Sequence, residues 1–358
     1  MVRGNKGEWS EYYAFLKILV DQKLFYGGPN FSKESGSYPV TAVIRDEIEG
    51  LKSYKLLPTG EILFSFEGKE TKIIFPDLQQ QVVDLFSKII SSKGRSFAID
   101  SATGIMEKLH NSKLGAGNEV KEDLILRIQD PAAGSDPEIG FSIKSLVGGP
   151  ATLLNASGAT NFIYQVKGIS KDKIGVINSI EGKSKIQDRL MKVFELGGDI
   201  EFVDTQSSIF KKNLQKCDSI LPFVIARMLQ YYFLGKGRSM DDLIENILED
   251  NVTFFDTKLD KIDYEHKLKN LLLAVALGMV PNREWDGNMR AYGGYIIVKS
   301  DGEVIGYNNA YNQDVFRKYL LKSTKFETGS SKRHKFGKVY EEDGKMFIKF
   351  NLQVRFTK

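Results

Sequence analysis

The sequence predicts an α/β fold in which a mixed sheet is flanked by helices, with a largely helical additional region and C-terminal hairpins. Residues 8–25 carry apolar side chains at helical spacing, and several later runs alternate with period two. Three further helical runs lie between residues 208 and 280, and period two returns at residue 294. A chain of 358 residues is long enough for two ordinary domains. We therefore expect a first domain at 1–206 and a second at 207–358.

The elements of the first domain are predicted from periodicity and from turn residues. Pro76 opens a helix at a position where its missing N–H costs nothing, and Gly94 ends that helix. A Gly-rich turn around Gly115 leads into two strands within residues 122–145. The other predicted elements are strands at 39–44, 61–66, 71–75, 160–166 and 201–203 and helices at 105–109, 151–154 and 183–196.

The second domain is predicted to begin with helices and to end with hairpins. Pro222 is expected to kink the first helix, because proline removes one hydrogen bond from a helix interior. Asp301-Gly302 and Asp343-Gly344 are strong hairpin turns. The predicted helices are 208–234, 240–248, 264–280 and 313–322, and the predicted hairpin strands are 294–299 with 303–308 and 338–341 with 346–354.

Cysteine content and hydropathy favour a cytoplasmic protein. Cys217 is the single cysteine, so no intrachain disulfide can form, and its apolar helical context predicts a buried, inert thiol. Acidic residues interrupt the opening segment, which is therefore not read as a signal peptide. The longest apolar run, residues 271–280, is too short to span a bilayer. We expect no membrane partner.

Positive charge is concentrated near the C-terminus. Residues 317–358 hold twelve Lys and Arg against four Asp and Glu, whereas the whole chain has a net charge of only +4. Such clustering is the electrostatic signature of a surface that faces phosphates, although a solubilising basic face has the same composition. No GxxxxGK[ST] loop is present, so ATP is not expected to be needed.

The candidate chemistry lies in the hairpin EDLILRIQDPAAGSDPEIGFSIKS, residues 122–145. Alternation places Asp123 on one face of the first strand, and a turn centred near Gly134 pairs it with Ser142, beside Lys144. Metal-dependent hydrolysis of a phosphodiester requires carboxylate ligands and a nearby cation, which this arrangement supplies. The alternative is a cross-strand salt bridge of Asp123 with Lys144, worth under about 1 kcal/mol if exposed.

Three other acids compete for the role of Asp123. Asp130 and Asp136 lie beside Pro131 and Pro137 in the predicted loop, and they would reach Lys144 only if the turn were displaced. Glu122 points to the opposite face of its strand. Asp123 is therefore favoured as the carboxylate that acts beside Lys144.

Three segments carry a resemblance to a known family. GNKGEWSEYYAFLKIL, GFSIKSLVGGPATLLNASGATNFIYQV and YLLKSTKFETGSSKRHKFGKVYEEDGKMFIKFNLQVRF, at the start, centre and end of the chain, resemble segments of the HpaII-type restriction endonucleases. The resemblance implies a PD-(D/E)xK nuclease core, Mg2+-dependent cleavage of double-stranded DNA and recognition of the palindrome CCGG. It also implies a cognate methyltransferase as a genetic rather than a physical partner.

The sequence departs from the general nuclease pattern at Ser142, which stands where an Asp or Glu would bind metal. The Ser142 hydroxyl or a water fills that place, or another acid reaches it. Glu11 is the first candidate and Glu8 the second, because related folds bring a carboxylate from the first helix; charge at a helix N-terminus explains both equally well. Gln165, on the strand after Lys144, is a weaker candidate.

Base recognition is expected in the C-terminal part. Arg333 can reach guanine, Lys335 can hold phosphate and His334 can hydrogen-bond DNA. Phosphate contacts or plain surface are expected of the remaining basic residues, Arg317, Lys322, Lys332 and Lys338. A palindromic target favours a homodimer on DNA, with a monomer that nicks each strand in turn as the alternative. Rival functions are a structure-specific repair nuclease and a non-catalytic DNA-binding regulator.

Overall fold

The structure of the protein is a computed structural model, which describes residues 2–28, 31–115, 122–129, 134–255 and 258–357. The helices are α1 (Lys6–Asp21), α2 (Leu78–Ser91), α3 (Ala102–Lys108), α4 (Lys173–Asn178), α5 (Lys185–Glu195), α6 (Ser208–Cys217), α7 (Leu221–Phe233), α8 (Met240–Glu249), α9 (Lys261–Leu277), α10 (Gln313–Lys322) and α11 (Ser331–His334). The strands are β1 (Arg3–Gly4), β2 (Lys23–Gly27), β3 (Lys33–Glu47), β4 (Gly50–Leu56), β5 (Ile62–Phe66), β6 (Lys69–Ile73), β7 (Phe97–Ala98), β8 (Leu124–Ile128), β9 (Glu138–Ser145), β10 (Thr152–Leu154), β11 (Asn161–Lys167), β12 (Asp199–Thr205), β13 (Gly294–Val298), β14 (Val304–Asn308), β15 (Thr324–Phe326), β16 (Val339–Glu342), β17 (Lys345–Asn351) and β18 (Val354–Phe356).

Two compact units divide the chain. Unit 1 comprises residues 1–151 and 289–319, and unit 2 comprises residues 152–288 and 320–358. This division differs from the predicted boundary at residue 206, because strand pairing joins distant segments. The hairpin β13–β14 pairs with strands of unit 1, and β11 pairs with β17 inside unit 2.

Unit 1 is built on a nine-stranded sheet in the order β2-β14-β13-β9-β8-β3-β4-β5-β6. The pairs β9–β13 and β2–β14 are parallel and the others antiparallel, which confirms a mixed α/β architecture. An additional pairing of β2 with β3 closes six of the strands into a ring, a closure that the sequence did not predict.

Helix α1 supplies much of the apolar core of unit 1. Its N-terminus is a capping box: the Asn5 side chain accepts from backbone N–H groups, and the Glu8 carboxylate accepts from the Asn5 N–H at 2.7 Å. Trp9 and Tyr12 are almost fully buried, and the Trp9 indole donates to the carbonyl of Phe97 at 3.1 Å. Burial of such large side chains stabilises the position of the helix against the sheet.

Several predicted boundaries are wrong, for identifiable reasons. The first helix ends at Asp21 rather than near residue 25, since Gln22 adopts a left-handed conformation (φ 54°) and β2 pairs with β3 and β14. Residues 152–154 form β10, paired with β18, rather than a helix. Pro222 lies in the first turn of α7, which begins at Leu221, and does not kink a longer helix, because a helix tolerates proline in its first turn.

Unit 2 contains a four-stranded sheet in the order β12-β11-β17-β16 and a three-stranded sheet β10-β18-β15. Its helices contribute a separate core, in which the buried Tyr164 hydroxyl of β11 donates to the carbonyl of Ala226 in α7 at 2.6 Å. Burial, and then the charge of Asp218, raise the pKa of the Cys217 thiol to about 12, which agrees with an inert cysteine. No helix in the described ranges has both the length and the apolar character needed to cross a membrane.

Candidate active site

The hairpin of β8 and β9 has the register that the sequence predicts. Leu124 pairs with Phe141, and the Asp123 N–H donates to the carbonyl of Phe141 at 2.8 Å. Asp123 therefore precedes β8 directly opposite Ser142. Burial alternates along β8 as expected, with Leu124 and Leu126 buried.

Ser142 joins Asp123 to Lys144 through its hydroxyl. The Ser142 hydroxyl donates to Oδ2 of Asp123 at 3.0 Å, and the Lys144 ammonium donates to the same hydroxyl at 2.8 Å. The backbone N–H of Ile143 also donates to Asp123 Oδ2, at 2.5 Å. Because Ser142 is only 4% exposed, a buried side chain fixes both charged groups.

Strand β13 adds a residue that the sequence did not identify. It runs parallel to β9 and places Tyr295 opposite Ser142. Tyr295 is buried, and the Lys144 ammonium lies 5.1 Å from the centroid of its ring. Burial, and then the Asp123 charge, raise the pKa of Tyr295, so its hydroxyl stays protonated. The apolar run at 294–298 predicted a strand, but no local pattern named β9 as its neighbour.

Helix α1 brings Glu11 to the same place. The Ser145 hydroxyl at the end of β9 donates to the Ser10 hydroxyl at 2.8 Å, which ties the helix to the hairpin. The pKa of Glu11 is raised to about 8, mainly by burial and then by the Asp123 charge, while Lys144 lowers it. Because the charges of Asp123 and Lys144 both act on the Glu11 carboxyl group, Glu11 lies near these two residues.

Gly115 lies against the carboxyl group of Glu11. A Cβ atom built on Gly115 would come within 1.8 Å of the Glu11 Oε2 atom. A side chain at position 115 would therefore displace the carboxyl group. The sequence marked Gly115 only as part of a turn.

The remaining acidic candidates have other surroundings. Glu8 is exposed and belongs to the capping box, so its carboxylate has a structural role. Asp136 accepts from the Thr41 hydroxyl at 3.2 Å, and its neighbour Glu138 begins β9, six residues or roughly 20 Å before Lys144. Asp130 lies outside the described residues. Glu122 packs against Gly140, since a Cβ atom built on Gly140 would lie 2.5 Å from the Cγ atom of Glu122.

Gln165 lies in a different sheet from Lys144. It is in the middle of β11, paired with Glu201 and Phe347 in unit 2. The strands that pair with β9 are β8 and β13, so Gln165 is not on a strand next to Lys144.

The side chains present fit a Mg2+ ion. Mg2+ prefers oxygen ligands, and it is commonly bound through one or two carboxylates with water and substrate phosphates. Asp123 and Glu11 supply two carboxylates. The pKa of Glu11 is raised first by burial and then by the Asp123 charge, and a bound cation would offset that charge. Within the part of the chain that the structure describes, no group of three or more His, Cys, Asp or Glu side chains could hold a metal ion. A two-carboxylate site is therefore the arrangement that these residues offer.

The basic candidates for DNA binding fall in both units. Arg317 lies on α10 in unit 1, half-buried, while the other six lie in unit 2. One of these six, Lys322, pairs with Asp241 at 2.8 Å. Lys332, Arg333 and His334 form most of the short helix α11, where the sequence predicted a loop, and Lys335 caps it in a left-handed conformation (φ 53°). The last of the seven, Lys338, is exposed just before β16.

On one hairpin of a mixed α/β fold, hydrogen bonds thus join an acid, a serine and a lysine, with a second acid nearby, which are groups that metal-dependent hydrolysis of a phosphodiester could use. The chain belongs to the HpaII restriction endonuclease family, whose sequence profile matches residues 5–356. It is 37% identical over 355 residues to the type II restriction enzyme HpaII of Haemophilus parainfluenzae, a match that covers 99% of this chain and 98% of that enzyme. No solved structure matches the chain.

Proposed function

We propose that this chain is a type II restriction endonuclease that hydrolyses double-stranded DNA at the palindrome CCGG with the help of Mg2+. The observation that carries the proposal is the chain of hydrogen bonds Asp123–Ser142–Lys144 with Glu11 beside it. Membership of the HpaII family and the 37% identity along nearly the whole chain support the same activity. The arrangement of β8 and β9 is proposed to be the hairpin of a PD-(D/E)xK nuclease.

Each residue of the site has a proposed role. Asp123 and Glu11 would hold Mg2+, with the Ser142 hydroxyl or a water in the place of a further acid. When bound, Mg2+ lowers the pKa of a water molecule and offsets the charge on the phosphate. Lys144 would orient the attacking water or stabilise the phosphate, and Ser142 holds the Lys144 ammonium at a fixed distance from Asp123.

Recognition is assigned to the basic residues of the C-terminal part. Arg333 and His334 are proposed to contact bases, and Lys332, Lys335, Lys338 and Arg317 to contact phosphates. We further infer a homodimer on DNA, since a two-fold protein matches a palindrome, and a cognate methyltransferase as genetic partner. A protein that cleaves DNA is expected in the cytoplasm, without need of ATP.

Digestion of long DNA tests the activity. Full-length protein is incubated with phage-sized DNA and Mg2+, and the products are separated and their ends sequenced. Discrete fragments with ends in CCGG are expected. Nicks at junctions or flaps would instead identify a structure-specific nuclease, and retention of DNA without cutting would identify a DNA-binding regulator.

The variant Lys144→Ala tests the site itself. It should bind the target duplex as the wild type does but lose cleavage, since the cation at the reacting phosphate is gone. Lys55→Ala, at an exposed position of β4 in the same sheet, is the matched control and should cut normally. Wild-type cleavage by Lys144→Ala would refute the assignment.

A further inference from the structure

A cavity in unit 2 is lined mainly by cationic side chains. Its volume is about 570 Å3, and its lining includes six Lys and Arg side chains and one carboxylate, that of Glu181. Lys332, Lys335 and Lys338 come from α11 and the segment after it, and Lys349 comes from β17. The sequence alone could not show that these residues line one cavity, because they come from separate elements: α11 and the segment after it, β17, and α5.

The positive charge of this cavity is largely uncompensated. Among the described residues, Lys332, Lys335, Lys338 and Lys349 form no ion pair, although Lys349 lies 5.0 Å from the ring centroid of Tyr340. Glu181 is already engaged by Lys185 and by Arg189, each at 2.9 Å. The hydrogen bond from Lys185 and the nearby positive charges hold the pKa of Glu181 below its usual range. Four like charges around one cavity repel one another unless an anion joins them.

The backbone that carries these lysines is held in place. The buried Arg189 side chain donates to the carbonyl of Gly337 at 2.7 Å and to that of Asn178 at 3.1 Å. Gly337 also donates its N–H to the carbonyl of Lys349 at 2.8 Å. With φ at +76° and Ile186 Cγ1 only 2.7 Å from any Cβ, position 337 requires glycine. Lys338 and Lys349 are thus presented by a fixed frame, which lowers the entropic cost of binding.

A polar group beside the lysines also lacks a partner. Tyr340 lines the cavity, and its hydroxyl is buried with no hydrogen-bond partner in the described structure. Burial, and then the charge of Glu342, raise the pKa of Tyr340 to about 12, so the hydroxyl is a donor at neutral pH. Phosphate oxygens are acceptors that both lysine ammonium groups and a tyrosine hydroxyl can serve.

We propose that this cavity binds one phosphate group of the DNA backbone, with Lys335, Lys338 and Lys349 as its principal contacts. The proposal rests on the proposed DNA-cleaving function, and it adds Lys349 to the binding residues. Arg333 and His334 do not line the cavity, so phosphate binding is separated from the residues assigned to bases. A backbone contact carries no sequence information and should therefore strengthen binding to every DNA sequence equally.

The test is equilibrium binding by full-length protein without divalent metal. The double variant Lys338→Gln/Lys349→Gln is compared with the wild type by fluorescence anisotropy, on a CCGG duplex and on a scrambled duplex, over a range of KCl concentrations. Both affinities should fall by the same factor, about tenfold or more, and the slope of log K against log salt should decrease by about two. The control Lys192→Gln/Lys212→Gln removes the same charge outside the cavity and should change neither affinity beyond about twofold.

Lysine acetylation of the wild-type protein gives an independent measurement. DNA should protect Lys335, Lys338 and Lys349 from the reagent, while inorganic phosphate at millimolar concentration should protect them weakly. Protection by phosphate but not by DNA would overturn the proposal in favour of a small-anion site. A loss of affinity confined to the CCGG duplex, or no loss at all, would also overturn it. Failure of the wild type to cleave DNA would instead contradict the proposed function, and the digestion assay measures this independently of binding.

Discussion

Proton release on metal binding is the most direct consequence of the environment of Glu11. Its pKa of about 8 means that the carboxyl group is mainly protonated near pH 7 in the metal-free protein. A carboxyl group must lose its proton before it can bind a divalent cation. If Glu11 is a ligand, binding of Mg2+ at neutral pH must therefore release a proton, and Glu11→Gln must abolish the release.

The magnitude follows from the pKa. With a value near 8, about nine molecules in ten carry the proton at pH 7 and about one in ten at pH 9, so about 0.9 and 0.1 protons are released on binding. The apparent affinity for Mg2+ should fall about tenfold per pH unit below pH 7. The folded protein holds this proton between pH 4.5 and about 8, whereas the unfolded chain does not. The free energy of unfolding therefore decreases as the pH rises through that interval, and Glu11→Gln should remove this decrease.

Calorimetry without DNA measures the release and excludes turnover. Titration of Mg2+, or of Mn2+ where Mg2+ binds too weakly, in buffers of different ionisation enthalpy gives the number of protons released. Glutamine resembles the protonated acid, so Glu11→Gln should fold normally at pH 7. Glu8→Gln, which removes the charge of the capping carboxylate, is the control and should still release protons, although fewer than the wild type, because the Glu8 charge contributes to the raised pKa of Glu11. Equal release by Glu11→Gln and the wild type would refute Glu11 as a ligand.

Three further substitutions test the surroundings of the site. Gly115→Ala should displace the Glu11 carboxyl group and reduce cleavage at least tenfold with DNA binding retained, measured by single-turnover kinetics and anisotropy; unchanged cleavage would contradict the contact. Ser142→Ala removes a hydrogen bond to each of two charged groups, so kcat should fall by an amount equivalent to about 1.5–3 kcal/mol, and an unchanged kcat would show that the bridge is dispensable. Arg45→Met leaves the buried Glu47 carboxylate without its ion pair and should cost about 3–5 kcal/mol in urea unfolding. Arg45→Met/Glu47→Gln should recover part of that loss, because glutamine removes the unpaired charge while its amide oxygen can still accept from the N–H groups of Ser112 and Lys113; no recovery would refute the pairing argument.

Local patterns were sufficient for the hairpin but not for its neighbours. The pairing of Asp123 with Ser142 follows from alternation and from a turn taken to be centred near Gly134, both of which lie within 24 residues of sequence. The closing strand β2 was hidden, because residues 23–25 continue the apolar spacing of α1 and only pairing with β3 and β14 makes them a strand. Tertiary pairing overrides local periodicity in such short segments.

The other parts of the site come from distant segments. Tyr295 reaches Lys144 because β13 lies parallel to β9, and parallel strands are joined by long connections that leave no short-range signal. Glu11 could be named from the family resemblance, but its spacing alone equally suited a helix N-terminal charge. The structure distinguishes Glu11 from Glu8, because the Glu8 carboxylate is engaged in the capping box of α1.

Ser142 explains why the site is limited to two carboxylates. It stands where the proposed PD-(D/E)xK pattern has an acid, is buried, and lies within hydrogen-bond distance of both Asp123 and Lys144. An acid at that position would add a third carboxyl group beside Asp123 and Glu11, and its charge would raise the pKa of Glu11 further above its value of about 8. A neutral hydroxyl instead donates to the carboxylate and accepts from the ammonium, so it links the two without adding charge. The absence of an acid at 142 is therefore compatible with metal binding, provided that Glu11 supplies the second carboxylate.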